Sequence, residues 1–197
     1  LKNEIDYKLF LEPSAMIELY AQGAFPMAED DGKIYWYMPD LRAIIPLDGF
    51  NVPRSLAQFM KTADFEYRFD TDKIKIIREC ANREKTWISE ELIEAYKGLE
   101  KSGHIHCVGV YRRNKLVGGL YGVTYRGAFF GESMFSLVSQ ASKSALVKLI
   151  ERLKQKGFAL LDVQFMTEHL RMFGAKEISF YSYGRLLRKA HKINAEF

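Results

Sequence analysis

The residues best equipped for chemistry are Asp162 and Gln164 in the run LLDVQF and Glu132 in the run GESMFS. Asp162 and Gln164 stand two apart, so on a strand both side chains point to one face. The apolar residues around them enclose that face. A buried carboxylate is costly unless it is paired or hydrogen-bonded, so a chain that keeps one there either satisfies it structurally or uses it. Glu132 has the same two readings: a salt bridge to a neighbouring Arg or Lys, or an acid held for function. Two strand carboxylates and an amide facing one pocket suit the acceptance of a proton from an amine, or the binding of a cation.

Other chemistry is poorly supported. His104 and His106 alternate on an expected edge strand and lack a third metal ligand, while His169 and His191 stand apart. Cys80 and Cys107 have no metal-ligand spacing and too low a density for a disulfide scaffold, which points to reduced, structural thiols. Ser133, Ser142 and Ser144 lack the glycine-flanked elbow of a hydrolase nucleophile. GVYRRNKLVGG carries neither a phosphate-loop lysine pattern nor a dinucleotide fingerprint. Trp87, in KTWIS, is either a core aromatic or, if exposed, a stacking platform for a base.

The elements that must position these residues follow from periodicity. PSAMIELYAQ, residues 13–22, is a short helix ended by Gly23. Prolines and glycines then punctuate short apolar runs at 35–37 and 43–45, which fit strands and turns. Ile74, Ile76, Ile77 and Cys80 mark a helix over 72–82, and Ser89 caps another that stops at Gly103. IHCVGVYRRNKLVGGLYGVTYRGAFFGESMFS reads as three strands joined at RRNK and YRG. A helix over 139–156 buries Ala145, Leu146, Leu149, Ile150 and Leu153. A strand at FALLDVQF, a helix near 166–173, a strand at ISFYSY and a basic tail complete the chain. This order predicts a mixed α/β fold.

The 197 residues, 48% hydrophobic and 27% charged, suffice for a sizeable core in one large domain or two small ones. No apolar run reaches the roughly 18 residues of a membrane span, and LKNEIDYKLF has charges where a signal peptide needs an apolar centre, so a cytoplasmic protein is expected. A net charge of +4, with 29 basic residues and 14% aromatics, is compatible with a nucleic-acid partner without requiring one.

Ten short motifs occur in one register: LYAQGAFP (19–26), WYMPDLR (36–42), PRS (53–55), TWIS (86–89), EAY (94–96), VGGLYGV (117–123), FGESMFS (130–136), ASK (141–143), LLDVQ (160–164) and FGAKEI (173–178). Their order and spacing resemble the bacterial leucyl/phenylalanyl-tRNA–protein transferases over residues 15–178. The resemblance implies a small N-terminal domain (1–60) and a C-terminal domain (61–197) similar to the acyl-CoA N-acyltransferase fold. It implies transfer of Leu or Phe, with Met as a further candidate, from aminoacyl-tRNA to the N-terminal Arg or Lys of acceptor proteins, marking them for degradation. No metal or organic cofactor, no membrane association and a monomeric state are expected with it.

By position, Asp162 and Gln164 match the family's catalytic relay. Asp162 would polarise Gln164, whose amide oxygen orients the attacking amine and draws its proton. Glu132 matches the acid that receives the cationic acceptor. Leu120, Phe129, Met134, Leu149, Leu153 and Leu161 would line the amino-acid pocket, and Trp87, Tyr96, Tyr20 and Met27 would hold the terminal adenosine of the tRNA. The chain departs from the family pattern at Met27, where Trp is usual, in lacking a basic cluster after PRS, and in lacking an arginine after GAKEI. Its basic tail, with Arg185, Arg188, Lys189 and Lys192, is expected to take over part of the phosphate contacts. The competing readings are another N-acyltransferase of the same fold, using a different aminoacyl-tRNA or a thioester donor, and a non-catalytic RNA-binding module.

Overall fold

The computed structural model describes residues 10–197; most of the charged stretch LKNEIDYKLF lies outside the described residues. Two sheets organise the described residues. Helix α1 (Pro13–Gln22) leads into a two-stranded hairpin, β1 (Phe25–Ala28) with β2 (Ile34–Tyr37). The chain then enters the large sheet through β3 (Leu41–Ile45), and a one-turn 3-10 helix at Leu47–Gly49 and α2 (Arg54–Thr62) follow. Next come β4 (Glu66–Phe69), α3 (Lys73–Ala81), α4 (Glu90–Lys101) and the meander β5 (Ile105–Arg112), β6 (Lys115–Tyr125) and β7 (Ala128–Ser136). Helix α5 (Ala141–Gln155) crosses over to β8 (Leu160–Gln164), and α6 (Glu168–Arg171), β9 (Lys176–Ser179) and α7 (Phe180–Ala190) close the described chain. The large sheet has seven strands in the order β4-β5-β6-β7-β8-β3-β9.

This is the mixed α/β architecture that the order of elements predicts. Both faces of the meander are covered, by α5 on one side and α3 on the other. Strand β6 is therefore buried almost throughout, and its glycines make room for neighbours on both faces. A Cβ on Gly122 would lie 2.3 Å from a ring carbon of Phe129. The β5–β6 turn places Arg113 and Asn114 at positive φ, 50° and 60°, the twist a two-residue hairpin needs.

Three local expectations change. The run ISFYSY is a strand only to Ser179; from Phe180 it is the start of α7, whose Tyr183, Leu187 and Ala190 form a buried stripe. The Ser179 side chain caps this helix by accepting from the Ser182 N–H. The helix expected near 166–173 is the single turn α6, and α5 begins at Ala141. Helix α2 and strand β4 are regular elements that the sequence pattern does not announce.

The sheet opens to make room for a site. Strands β7 and β8 are parallel, but their pairing stops after Phe130 opposite Asp162. Beyond that point β7 stays with β6 through a register shift at Tyr121/Gly122, and β8 stays with β3 through a shift at Ala43/Ile44. The two strands part, and the segments 131–136 and 163–165 face each other across the gap.

Candidate active site

A cavity of about 580 Å³ occupies this split. Leu120, Met134, Leu146, Leu149, Leu161 and Val163 supply its apolar wall, while Glu132 and Gln164 bring polar groups to it. Trp87 and Met27 line it as well; the Ala28 N–H donates to the Trp87 carbonyl at 3.0 Å, which ties β1 to the Trp87 loop. At another part of the wall stand Ser136, Ser142, Thr167 and His169. Burial, and then the charge of Lys143, lowers the pKa of His169 and favours the neutral imidazole.

Glu132 sits half-buried on β7 and is held by two phenols. The Tyr20 hydroxyl donates to Oε1 at 2.9 Å and the Tyr96 hydroxyl to Oε2 at 3.0 Å. Burial is the main force on this carboxyl and pushes its pKa up to about 7; Asp162 adds to the rise, whereas the two tyrosine hydrogen bonds and Arg42 oppose it. Burial and the Glu132 charge raise both phenols well above their usual value, so they stay protonated donors. A carboxylate so enclosed by protein gains from any cation brought to its open side.

Asp162 is fully buried and does not line the cavity. Arg42 Nε donates to its Oδ1 at 2.9 Å and Nη2 to its Oδ2 at 2.6 Å. The Tyr183 hydroxyl adds a bond to Oδ2 at 2.8 Å, and the Gln164 main-chain N–H reaches Oδ1 at 2.9 Å. Gln164 does line the cavity, with a φ of 57°, so strand alternation, which would place Asp162 and Gln164 on one face, ends before Gln164. Its side-chain Nε2 is buried and has no hydrogen-bond partner among the described residues.

Leu120, Met134, Leu149 and Leu161 of the expected amino-acid pocket thus line the cavity, whereas Phe129 and Leu153 are fully buried in the core behind it. Trp87 and Met27 also line it. Tyr20 and Tyr96 are fully buried and reach the site through their hydroxyls on Glu132. Arg42, Tyr183 and Arg83 join the site although the sequence assigns them no role; Arg42 stands there only as the last residue of WYMPDLR. Arg83 Nη2 donates to Ser133 Oγ at 2.9 Å and to the Met134 carbonyl at 3.2 Å, steadying the outer part of β7. The one available hint is the cost of burying Asp162, which demands a cationic partner without naming it.

The remaining candidates lie elsewhere. Nδ1 of His104 bonds the Thr124 carbonyl and Nδ1 of His106 bonds Asp70. The buried Cys80 and Cys107 thiols are both pushed up to about 12, chiefly by burial, which leaves almost no thiolate for nucleophilic work.

A mixed α/β protein with a split-sheet cavity that pairs an apolar wall with an acid and an amide is the class these observations define. Comparison with known proteins narrows it. Residues 11–40 match the family model of the leucyl/phenylalanyl-tRNA protein transferase N-terminal domain, and residues 44–188 match that of leucyl/phenylalanyl-tRNA protein transferase. A leucyl/phenylalanyl-tRNA–protein transferase from Herpetosiphon aurantiacus is 50% identical over 95% of this chain and 98% of its own length. Its counterpart from Rubrobacter xylanophilus is 45% identical with the same coverage. The chain belongs to the leucyl/phenylalanyl-tRNA–protein transferase family. Among solved structures, a conserved protein of unknown function from Staphylococcus epidermidis aligns with 90% of this chain and 66% of its own, at a TM-score of 0.42 and 10% identity.

Proposed function

We propose that this protein transfers Leu or Phe, and to a lesser degree Met, from aminoacyl-tRNA to the N-terminal Arg or Lys of acceptor proteins, which marks them for degradation. The observation that carries the reading is that Glu132, Gln164 and the apolar wall of Leu120, Met134, Leu149 and Leu161 line one cavity. A cavity of this size walled by Leu and Met side chains accepts apolar side chains and separates them by only about 1–3 kcal/mol, which admits Met.

In this reading the aminoacyl side chain lies against that wall, and Trp87 with Met27 holds the terminal adenosine. Ionised Glu132, fixed by Tyr20 and Tyr96, receives the cationic Arg or Lys side chain at the acceptor's first position. The neutral α-amine attacks the ester carbonyl, the new C–N bond forms, and the C–O bond to the ribose breaks. The proton lost by the amine ends on the released ribose hydroxyl. The Gln164 amide oxygen can accept a hydrogen bond from the amine and orient it, but an amide holds no proton near neutrality. Because the ester is already activated, most of the acceleration falls to positioning. Asp162 contributes through the main chain of Gln164, to which it is bonded.

No helix among the described residues is long and apolar enough to cross a membrane, and both substrates are found in the cytoplasm, where we place the enzyme as a monomer. The test is transfer of radiolabelled Leu from charged tRNA to otherwise identical proteins beginning with Arg, Lys, Asp or Glu. Label confined to the Arg and Lys acceptors supports the reading, and label on the acidic ones overturns the role of Glu132.

A further inference from the structure

Gln164 stands at an unusual point of the backbone. It has a φ of 57°, and the Phe165 N–H bonds the Val163 carbonyl at 2.7 Å across it. A three-residue turn closed over a residue of positive φ is rare and strained. Strained backbone of this kind persists only where the surroundings over-determine it, and it gathers at functional sites.

The surroundings here are explicit. The Gln164 N–H is bonded to Asp162 Oδ1, and Asp162 cannot move because Arg42 grips both of its oxygens and Tyr183 bonds the second. The Arg42 guanidinium is itself sandwiched, 4.6 Å from the Phe25 ring centre and 4.8 Å from that of Tyr183. Arg42, Asp162 and Tyr183 are all fully buried. They come from three separate elements, β3, β8 and α7, so the grip fixes β8 against its neighbours. A buried ion pair adds little net stability compared with an apolar filling, which leaves its presence unexplained by folding alone.

We propose that Arg42 and Tyr183 are positioning residues for the transfer reaction. They lock the Asp162 carboxylate, and Asp162 holds the Gln164 main chain in the strained turn that brings its amide to the cavity. The assignment rests on the transferase reading above. It changes the part played by Asp162 from polarising the Gln164 side chain to fixing its backbone, since the carboxylate's bonds are already made to Arg42, Tyr183 and the Gln164 main chain.

Tyr183→Phe removes one hydroxyl and keeps the ring that flanks Arg42. In single-turnover transfer of Leu to an Arg-beginning acceptor, this variant should be slower by about tenfold, the weight of one hydrogen bond to a charged group. The KM values for tRNA and acceptor should be unchanged. In a Gln164→Ala background the same substitution should change the rate by less than about twofold, because its effect passes through Gln164. Thermal unfolding of all four proteins verifies that each is folded. An equal rate loss in both backgrounds, or none in either, overturns the proposal. Absence of transfer by the unaltered protein would instead overturn the functional reading on which it rests.

Discussion

Replacing Glu132 by Gln should stabilise the protein above neutral pH while impairing its reaction. The carboxyl has a pKa of about 7 in the folded protein, raised chiefly by burial, against an ordinary value of 4.5. The folded state therefore binds this proton more tightly than the unfolded state does. The favourable contribution is complete below pH 4.5 and is lost as the pH rises through about 7. At about 1.4 kcal/mol per pKa unit, the penalty on the alkaline side approaches about 3 kcal/mol. Because Glu132 retains some solvent contact, and Gln offers the two tyrosines one acceptor oxygen instead of two, half of that is a fair expectation. For a chain of this size it corresponds to a Tm gain of roughly 3–6 °C at pH 8. At pH 4.5 and below the gain should vanish. Unfolding curves of both proteins at pH 4.5 and pH 8, alongside transfer to an Arg-beginning acceptor, measure both sides. A Tm difference that is the same at both pH values would show that Glu132 does not titrate as argued. Undiminished transfer by the variant would show that the carboxylate does not receive the acceptor.

Other consequences are open to simpler measurements. Trp87→Ala should raise KM for aminoacyl-tRNA by about 5- to 150-fold, the range for one lost base stack, with the rate at saturation largely retained; an unchanged KM places the adenosine elsewhere. Arg185, Arg188, Lys189 and Lys192 are exposed on α7 and just beyond it. Their replacement by Ala should flatten the dependence of tRNA binding on salt by about 0.7–0.9 in log–log slope for each phosphate that these side chains neutralise, and an unchanged slope removes this helix from the RNA surface. Gly122→Ala should cost more than about 1–3 kcal/mol in urea unfolding, since the new Cβ would lie 2.3 Å from both a Phe129 ring carbon and the Phe130 carbonyl oxygen. A stable Gly122→Ala protein would mean that β6 and β7 can move apart.

The sequence shows most of this fold because its helices and central strands carry strong local signals. Ser89 caps α4 through its side chain, and the α5 stripe of Ala145, Leu146, Leu149, Ile150 and Leu153 is buried as its spacing implies. Helix α7 is obscured because aromatic residues at its start imitate a strand, although Tyr183, Leu187 and Ala190 already have helical spacing. The chemistry of the site is less visible. Alternation along β8 rightly marks Asp162 as enclosed, but no periodicity announces the positive φ that detaches Gln164 from its face. Arg42, 120 positions away, looks like an ordinary charge in a short strand until β3 is seen beside β8. Tyr20 and Tyr96 are matched to the adenosine by the resemblance, whereas their bonds to Glu132 depend on α1 packing against α4, which brings together two tyrosines 76 positions apart in the chain.

The central claim is that an aminoacyl group moves from a tRNA ester to a protein's α-amine. Its most direct test is the mass of an Arg-beginning acceptor after incubation with this protein and Leu-tRNA, followed by sequencing from the N-terminus. The account predicts a gain of one leucine residue, joined through the α-amine ahead of Arg. An acceptor of unchanged mass, or leucine attached at a lysine side chain, would contradict it.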